Sequence, residues 1–351
     1  MNRTFWNGKK VFLTGHTGFK GSWLSLWLQS CGTIITGYSL EPKIKLNLFD
    51  LALVENGMKS IIGDIRDLQK LKKTMIDFSP DMVIHMAAQP LVRTSYKDPE
   101  DTYSTNVMGT VNLFEAVRET SSVKAVVNVT TDKCYENKER TLGYSEDEPM
   151  GGNDPYSSSK GCSELITKAY RNSFFSDYDS ANIASARAGN VIGGGDWAED
   201  RLIPDIFKSF KEKKPILIRN PNAIRPWQHV LEPLSGYLLL LEKLYSQGEN
   251  WAQGWNFGPK DEDVKQVNKI VAYLIEKCGH KENYIKDNST QPHEAQLLKL
   301  DISKAKHQLN WDPKWDLFKA LDSIIEWNNG FNNGEDIRTL TLKQINEFEK
   351  Y

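Results

Sequence analysis

Short apolar runs alternate with longer amphipathic stretches through the first two-thirds of the chain. Lys10–Thr14, Thr33–Tyr38, Ser60–Gly63, Met82–Met86, Ala125–Thr130 and Ala181–Ala186 read as strands. Gly21–Cys31, Leu68–Phe78 and Tyr103–Thr120, lying between them, read as helices. Such alternation predicts an α/β fold with a parallel sheet covered on both faces. After about Arg187 the rhythm breaks into Gly193-Gly194-Gly195, several prolines and irregular polar segments. Helices are expected near Val264–Gly279 and Leu317–Gly330, and Trp255–Gly258 reads as a late strand returning to the sheet. The pattern predicts a sheet domain over 1–189, with a return segment near 228–259. A smaller C-terminal lobe, 190–227 and 260–351, would close a cleft over it. No role is legible for the tail after Gly330.

Composition narrows the classes. Lys plus Arg (44) nearly balances Asp plus Glu (46) over 351 residues, so no overall charge recruits nucleic acid or an anionic membrane. The N-terminal run MNRTFWNGKKVFLTG has no signal-peptide apolar region. The longest apolar cluster, around Tyr237–Leu241, is far short of the ~20 residues that span a bilayer. Cys31, Cys134, Cys162 and Cys278 are scattered without a CxxC pair, which suggests neither a metal site nor a disulfide framework. A soluble cytoplasmic protein is expected.

The run Thr14-Gly15-His16-Thr17-Gly18-Phe19-Lys20-Gly21 sits between an apolar strand and an amphipathic helix. Gly15, Gly18 and Gly21 have the spacing of a phosphate cradle, in which glycines permit a tight turn and close backbone approach. The helix N-terminus then favours the anion. A Rossmann-type doubly wound sheet binding a dinucleotide is therefore expected, against the plainer reading of a ligand-free turn. His16 and Lys20 are bulkier than residues usual in such loops. Ser39 stands where a carboxylate usually grips the adenine-side ribose, so NAD and NADP are not distinguished there. Asp64 and Ile65 suit an adenine, or Asp64 caps the helix that follows.

Asn153-Asp154-Pro155-Tyr156-Ser157-Ser158-Ser159-Lys160 carries the clearest chemistry. Asp154 suits an N-cap and Pro155 the first helical position. Tyr156 and Lys160, four apart, share one helix face. A nearby ammonium would lower the tyrosine from its usual ~10 toward neutrality, producing an acid/base for a sugar hydroxyl. The fifth strand ends in Thr131-Asp132-Lys133, at the carboxyl edge that faces the cleft in such sheets. The alternative is a polar strand exit with Lys133 solvated.

With these pieces the chain, from about Lys10 to Trp315, resembles the extended short-chain dehydrogenases/reductases that act on nucleotide sugars. The resemblance rests on GHTGFKG, the D-I-R-D run, HMAAQPLVR (85–93), STNVMGT (104–110), TTDKCY, YSSSK, RAGNVIGGGDW (187–197), the IRPWQHV run (224–230) and LKLDISKAKHQLNWDP (298–313). Within that family it is most similar to the 4,6-dehydratases. The resemblance implies NAD as cofactor, CDP-glucose as substrate, a homodimer, and a place in making deoxysugars of a surface O-antigen polysaccharide. It implies Thr131, Tyr156 and Lys160 at the hydride-transfer centre, Asp132 as general acid, and Asn106 ordering the lysine. Gly15, His16, Gly18, Phe19, Lys20, Gly21, Ser39, Asp64, Ile65, Ala87 and Ala88 would line the cofactor, with His85 in the same segment. Gln89, Asn190, Arg201, Arg219, Arg225 and His229 would meet the substrate, where paired guanidinium groups suit a diphosphate.

One departure stands out. Lys133 occupies the slot of a glutamate that serves related dehydratases as the base at carbon 5. An ammonium cannot accept a proton, so Lys133 would act either as a neutral amine or by stabilising enolate charge. The missing ribose carboxylate, with His16 and Lys20, predicts an exchangeable cofactor. A 4-epimerase, a dehydratase for another nucleotide, and a non-catalytic dinucleotide sensor remain alternatives; Asp132 favours elimination over epimerisation.

Overall fold

In a computed structural model of the chain, residues 1–177, 179–280, 284–287 and 297–351 are described. Seven strands form one parallel sheet: β1 (Lys10–Thr14), β2 (Ile34–Ser39), β3 (Lys59–Ile62), β4 (Met82–His85), β5 (Ala125–Val129), β6 (Asn182–Ala188) and β10 (Gly254–Phe257). Their order, β10-β6-β5-β4-β1-β2-β3, reverses direction between β1 and β4. This is the doubly wound Rossmann-type arrangement, in which ligands bind outside the carboxyl ends of the strands at the reversal. The late strand expected near Trp255 is β10, paired in parallel with β6.

Alternate residues of each strand feed opposite faces. Val11 and Leu13 of β1, with Met82 and Ile84 of β4, join Trp23, Trp27 and Leu234 in one core. Phe12 and Val83 point the other way, into Leu71, Met75, Leu113 and Phe114. Both faces being buried explains why these strands read as nearly continuous apolar runs.

A second lobe is assembled from β7 (Asn190–Ile192), β8 (Ile216–Ile218), β9 (Ile224–His229), β11 (Val264–Gln266) and β12 (Tyr284–Lys286). It has its own core of Ile203, Ile206, Trp227, Ile270, Leu274 and Ile324. The helix expected from Val264 starts at Val267, because Val264–Gln266 pairs antiparallel with β9 instead. The tail forms the helix Ile337–Glu349, capped by Asp336. Its Leu340, Ile345 and Phe348 pack with Trp27 of the helix Phe19–Ser30, and Trp27 donates to Glu349 over 2.9 Å. The end of the chain thus braces the helix that follows the glycine loop. No helix among the described residues is long and apolar enough to cross a membrane.

Candidate active site

β1 delivers Thr14 and the glycine loop to the sheet reversal. Gly15 has φ +77°, and a Cβ there would stand 2.8 Å from the Ala87 nitrogen. A Cβ on Gly21 would lie 2.1 Å from the Gly15 carbonyl oxygen. Gly18 begins the helix Phe19–Ser30 without any side-chain cap. The unpaired N–H groups of that first turn border the cleft, as a pyrophosphate requires. Thr14 ties the loop to β4: its hydroxyl accepts from Met86 N (3.0 Å) and Ala87 N (3.1 Å). It therefore donates to His85 Nδ1 at 2.8 Å, and burial pushes His85 down to about 3, keeping the ring neutral.

The adenine-side pocket is built differently from a carboxylate grip. Thr17 donates to the Leu40 carbonyl (2.8 Å), so Ser39 donates to Thr17 (2.8 Å) and has no proton left for a ribose. Asp64 and Ile65 line the cleft with Ala87 and Ala88. The Asp64 carboxylate is held by Arg66, Nε to Oδ1 at 2.9 Å and NH2 to Oδ2 at 2.5 Å, which lowers its pKa. Capping of the next helix falls to Asp67, not Asp64.

The two bulky loop residues part company. The His16 ring is fully buried, bonded through Nε2 to Ser60 (2.8 Å) and edge-on to Phe49 (5.4 Å). Gly37 leaves room for it, since a Cβ there would lie 2.4 Å from His16 Cγ. Burial pushes His16 down to about 4, and its side chain is no part of the cleft wall. Lys20 is on that wall, with Nζ 3.4 Å from the Tyr237 hydroxyl. Burial, then Arg201 and Lys160, push it down to about 7, against the pull of Asp132. Its charge lies toward the catalytic end of the cleft.

At that end Asp154 caps the helix Pro155–Phe174, accepting from Ser157 N at 2.9 Å, with Pro155 in its first turn. Tyr156 and Lys160 both face the cleft. Thr131, just past β5, lies beside Tyr156 on the cleft wall and donates to Asp132 Oδ1 over 3.0 Å. Asp132 Oδ2 is buried with no hydrogen-bond partner among the described residues. Burial pushes the Asp132 carboxyl up, against Lys133, Thr131 and Arg225. Lys133 is half-buried on the same wall. Gly189 keeps the other side open: a Cβ there would stand 2.9 Å from Asp132 Oδ2.

The expected lowering of Tyr156 is absent. Burial pushes it up to about 12, outweighing the pull of the nearby Thr131 hydroxyl and the Arg201 charge. Lys160 is itself pushed down to about 8 by burial, against the Glu164 charge, and donates to the Val129 carbonyl at 3.2 Å. Sequence reasoning missed what stands behind it. Glu164, one turn further on, accepts from Thr130 (2.5 Å), Ser185 (2.7 Å) and Arg187 (2.7 Å), all buried. The four-residue spacing of Lys160 and Glu164 was the available signal.

Several candidate catalytic and substrate residues act at one remove. Asn106 is buried in a π-helical turn, Ser104–Met108, donating to the Gln89 carbonyl (3.0 Å) and Ser159 (2.9 Å). It fixes the 87–91 loop against the Tyr156 helix and does not reach the cleft wall. Gln89 spends its amide on Leu91 and Thr102. His229 is fully buried, 5.6 Å from the Trp23 ring and 4.9 Å from Trp315, and also lies off the cleft. Burial pushes it down to about 3. Asn190, Arg201, Arg219 and Arg225 do line the cleft. Arg201 pairs with Asp196 at 2.8 Å, and Arg225 donates to the Ile224 carbonyl at 3.0 Å. Arg93, which the sequence reading did not single out, joins this wall.

The cleft encloses about 1070 Å³. That exceeds the roughly 300–1,000 Å³ of a single small-ligand site and suits two ligands meeting at Tyr156.

A doubly wound sheet with this glycine loop and a tyrosine–lysine helix defines an extended short-chain dehydrogenase/reductase. The chain belongs to the GDP-mannose 4,6 dehydratase family, whose model matches residues 12–324. It is 53% identical over 352 residues to a CDP-glucose 4,6-dehydratase of Salmonella typhimurium, covering 99% of this chain and 98% of that protein. A dTDP-glucose 4,6-dehydratase of Xanthomonas campestris is 25% identical over 331 residues, covering 90% of this chain and 92% of that one. In fold the chain is similar to a Streptomyces venezuelae dTDP-glucose 4,6-dehydratase solved with NAD, at TM-score 0.81 and 21% identity over 93% of this chain and 99% of that one. A Thermotoga maritima UDP-glucose 4-epimerase solved with UDP-glucose also gives TM-score 0.81, at 20% identity over 92% of this chain and 99% of the other.

Proposed function

We infer that the chain is a CDP-glucose 4,6-dehydratase, converting CDP-glucose to CDP-4-keto-6-deoxyglucose and water with NAD recycled at each turnover. The uncapped helix start at Gly18 fits the cofactor's pyrophosphate, and glycine at 15 and 21 lets the loop close tightly on the neighbouring backbone to form that turn. Bound there, NAD would supply the reversible hydride acceptor that the cycle needs between carbon 4 and carbon 6 of the glucose.

The chain's own groups handle the protons. Tyr156 is the acid/base at the carbon-4 hydroxyl, and to accept that proton it must first lose its own against the burial that pushes it up to about 12. Lys160, four residues further along the same helix, is the cation placed to support that phenolate once substrate and cofactor are in the cleft. The ketone so formed acidifies the proton on carbon 5. Asp132, whose hold on its proton burial strengthens, gives its proton to the carbon-6 hydroxyl as it leaves as water. Lys133 stands on the carbon-5 side, as neutral base or as the charge that holds the enolate. Arg219, Arg225 and Asn190 hold the substrate diphosphate.

Asp132 is the observation that carries this reading. A buried carboxyl with one oxygen unpartnered and a raised affinity for its proton serves elimination, and a 4-epimerase has no use for it. The sheet domain, 1–189 with the 228–259 return, holds the cofactor; residues 190–227 and 260–351 supply the substrate lobe, apart from the helix Ile337–Glu349, which packs back on the sheet domain. We place the enzyme as a cytoplasmic homodimer in the making of deoxysugars for a surface O-antigen polysaccharide. CDP-glucose deuterated at carbon 4 tests the cycle: the product should carry deuterium at carbon 6. Deuterium retained at carbon 4 would mean epimerisation, and deuterium lost to solvent would end the internal-transfer reading.

A further inference from the structure

Across the cleft, one carboxylate oxygen is shared by two guanidinium groups from different parts of the fold. Asp200 Oδ1 lies 3.3 Å from Arg93 NH1 and 3.3 Å from Arg219 NH1. Arg219 also donates through NH2 to the Asp200 carbonyl at 3.0 Å. Arg93 belongs to the segment after β4, on the sheet domain, whereas Arg219 directly follows β8 of the second lobe. All three residues line the cleft. Asp200 has φ +61°, a left-handed conformation that aspartate and asparagine tolerate better than most residues.

Two arginines converging on one oxygen is the arrangement that receives a phosphate. A single carboxylate leaves a net positive charge between them, and a diphosphate brings more negative charge than Asp200 does. Neither pair is buried: the side chains are 32% exposed for Arg93, 40% for Asp200 and 28% for Arg219, so the contacts are screened and exchangeable. The geometry points to Asp200 as an internal stand-in for the substrate diphosphate: it holds Arg93 and Arg219 across the cleft and gives them up when the diphosphate arrives. The inference rests on the nucleotide-sugar reading above. It adds Arg93 as a diphosphate ligand, and Asp200 as a competitor that weakens binding in exchange for a preset cleft.

Asp200→Asn removes the charge and keeps the side chain's size and its tolerance of left-handed backbone. Titrating CDP into the wild-type and Asp200→Asn chains by calorimetry should show several-fold tighter binding in the variant. Cytidine, which lacks phosphates, should bind both equally, and the KM for CDP-glucose should fall. Arg93→Met should weaken CDP and shrink the gain from Asp200→Asn, since the two changes share one interaction. Unchanged CDP affinity in Asp200→Asn would overturn the proposal, and weaker affinity would make Asp200 an organiser of the arginines instead of a competitor. If the wild-type chain bound no CDP, the nucleotide-sugar reading would fail first and this inference with it.

Discussion

The Thr131 hydroxyl donates to Asp132 Oδ1 over 3.0 Å and leaves Oδ2 buried without a hydrogen-bond partner among the described residues. One oxygen is therefore fixed and the other faces whatever enters beside Gly189. Asp132→Asn keeps the shape and removes the transferable proton. Water loss should slow by ~10²–10⁴-fold, the usual share of a general acid, while oxidation at carbon 4 persists. Rapid-quench mass spectrometry would then find the 4-keto glucose with its carbon-6 oxygen still attached. Water loss at the wild-type rate would remove Asp132 from the mechanism.

Lys160 sacrifices stability for function. Its folded value is pushed down from 10.5 to about 8, so the fold disfavours the ammonium. Below about pH 8 the lysine is charged in both states and the full cost is felt. Between about pH 8 and 10.5 only the unfolded chain keeps the proton, so stability recovers as pH rises through that window. Lys160→Met should abolish turnover yet unfold about 1–3 kcal/mol later at pH 7, and should lack the recovery above pH 8. Glu164 keeps Thr130, Ser185 and Arg187 as partners in that variant. A lower melting temperature at neutral pH would contradict this.

Three buried histidines predict acid lability. Burial holds His16 at about 4, and His85 and His229 at about 3, against an ordinary 6.5. On acidification below 6.5 the unfolded chain takes up protons that the folded chain refuses, so stability present above 6.5 is lost toward pH 4. Each ring should contribute on the order of 1–2 kcal/mol of that loss by pH 5. Melting temperature against pH should fall steeply in this window, and less steeply for His16→Gln. A flat profile from pH 7 to 5 would refute the buried, neutral assignment.

The glycine cradle and the Tyr156–Lys160 helix are legible because the chemistry is carried by spacing, and a spacing of three or four residues implies a shared helix face or turn. What spacing leaves open is which way a side chain points. His16 lies inside the cradle motif, yet the gap above Gly37 draws its ring down to Ser60. His229, expected at the substrate, ends β9 and turns into Trp23 and Trp315 instead. Helix Ile337–Glu349 has an apolar stripe, but its partner is more than three hundred residues away, as the Arg338–Gln29 hydrogen bond of 2.7 Å shows. The Arg93–Asp200–Arg219 contact also joins three distant segments, and no local pattern announces it.

The ribose slot predicts a cofactor that leaves. With Ser39 committed to Thr17 and Thr17 to Leu40, the residue in the ribose slot has no proton to give the adenine-side ribose. Purified chain dialysed without NAD should lose activity and regain it when NAD is added back. Stoichiometric NAD retained through dialysis would show a grip on the cofactor from other residues.

The most direct test of the central claim is a product mass spectrum after incubation with NAD and each of CDP-, dTDP-, UDP- and GDP-glucose. CDP-glucose alone should give a product lighter by one water, without net formation of NADH. Conversion without mass change, or water loss from a different nucleotide glucose in preference to CDP-glucose, would contradict it.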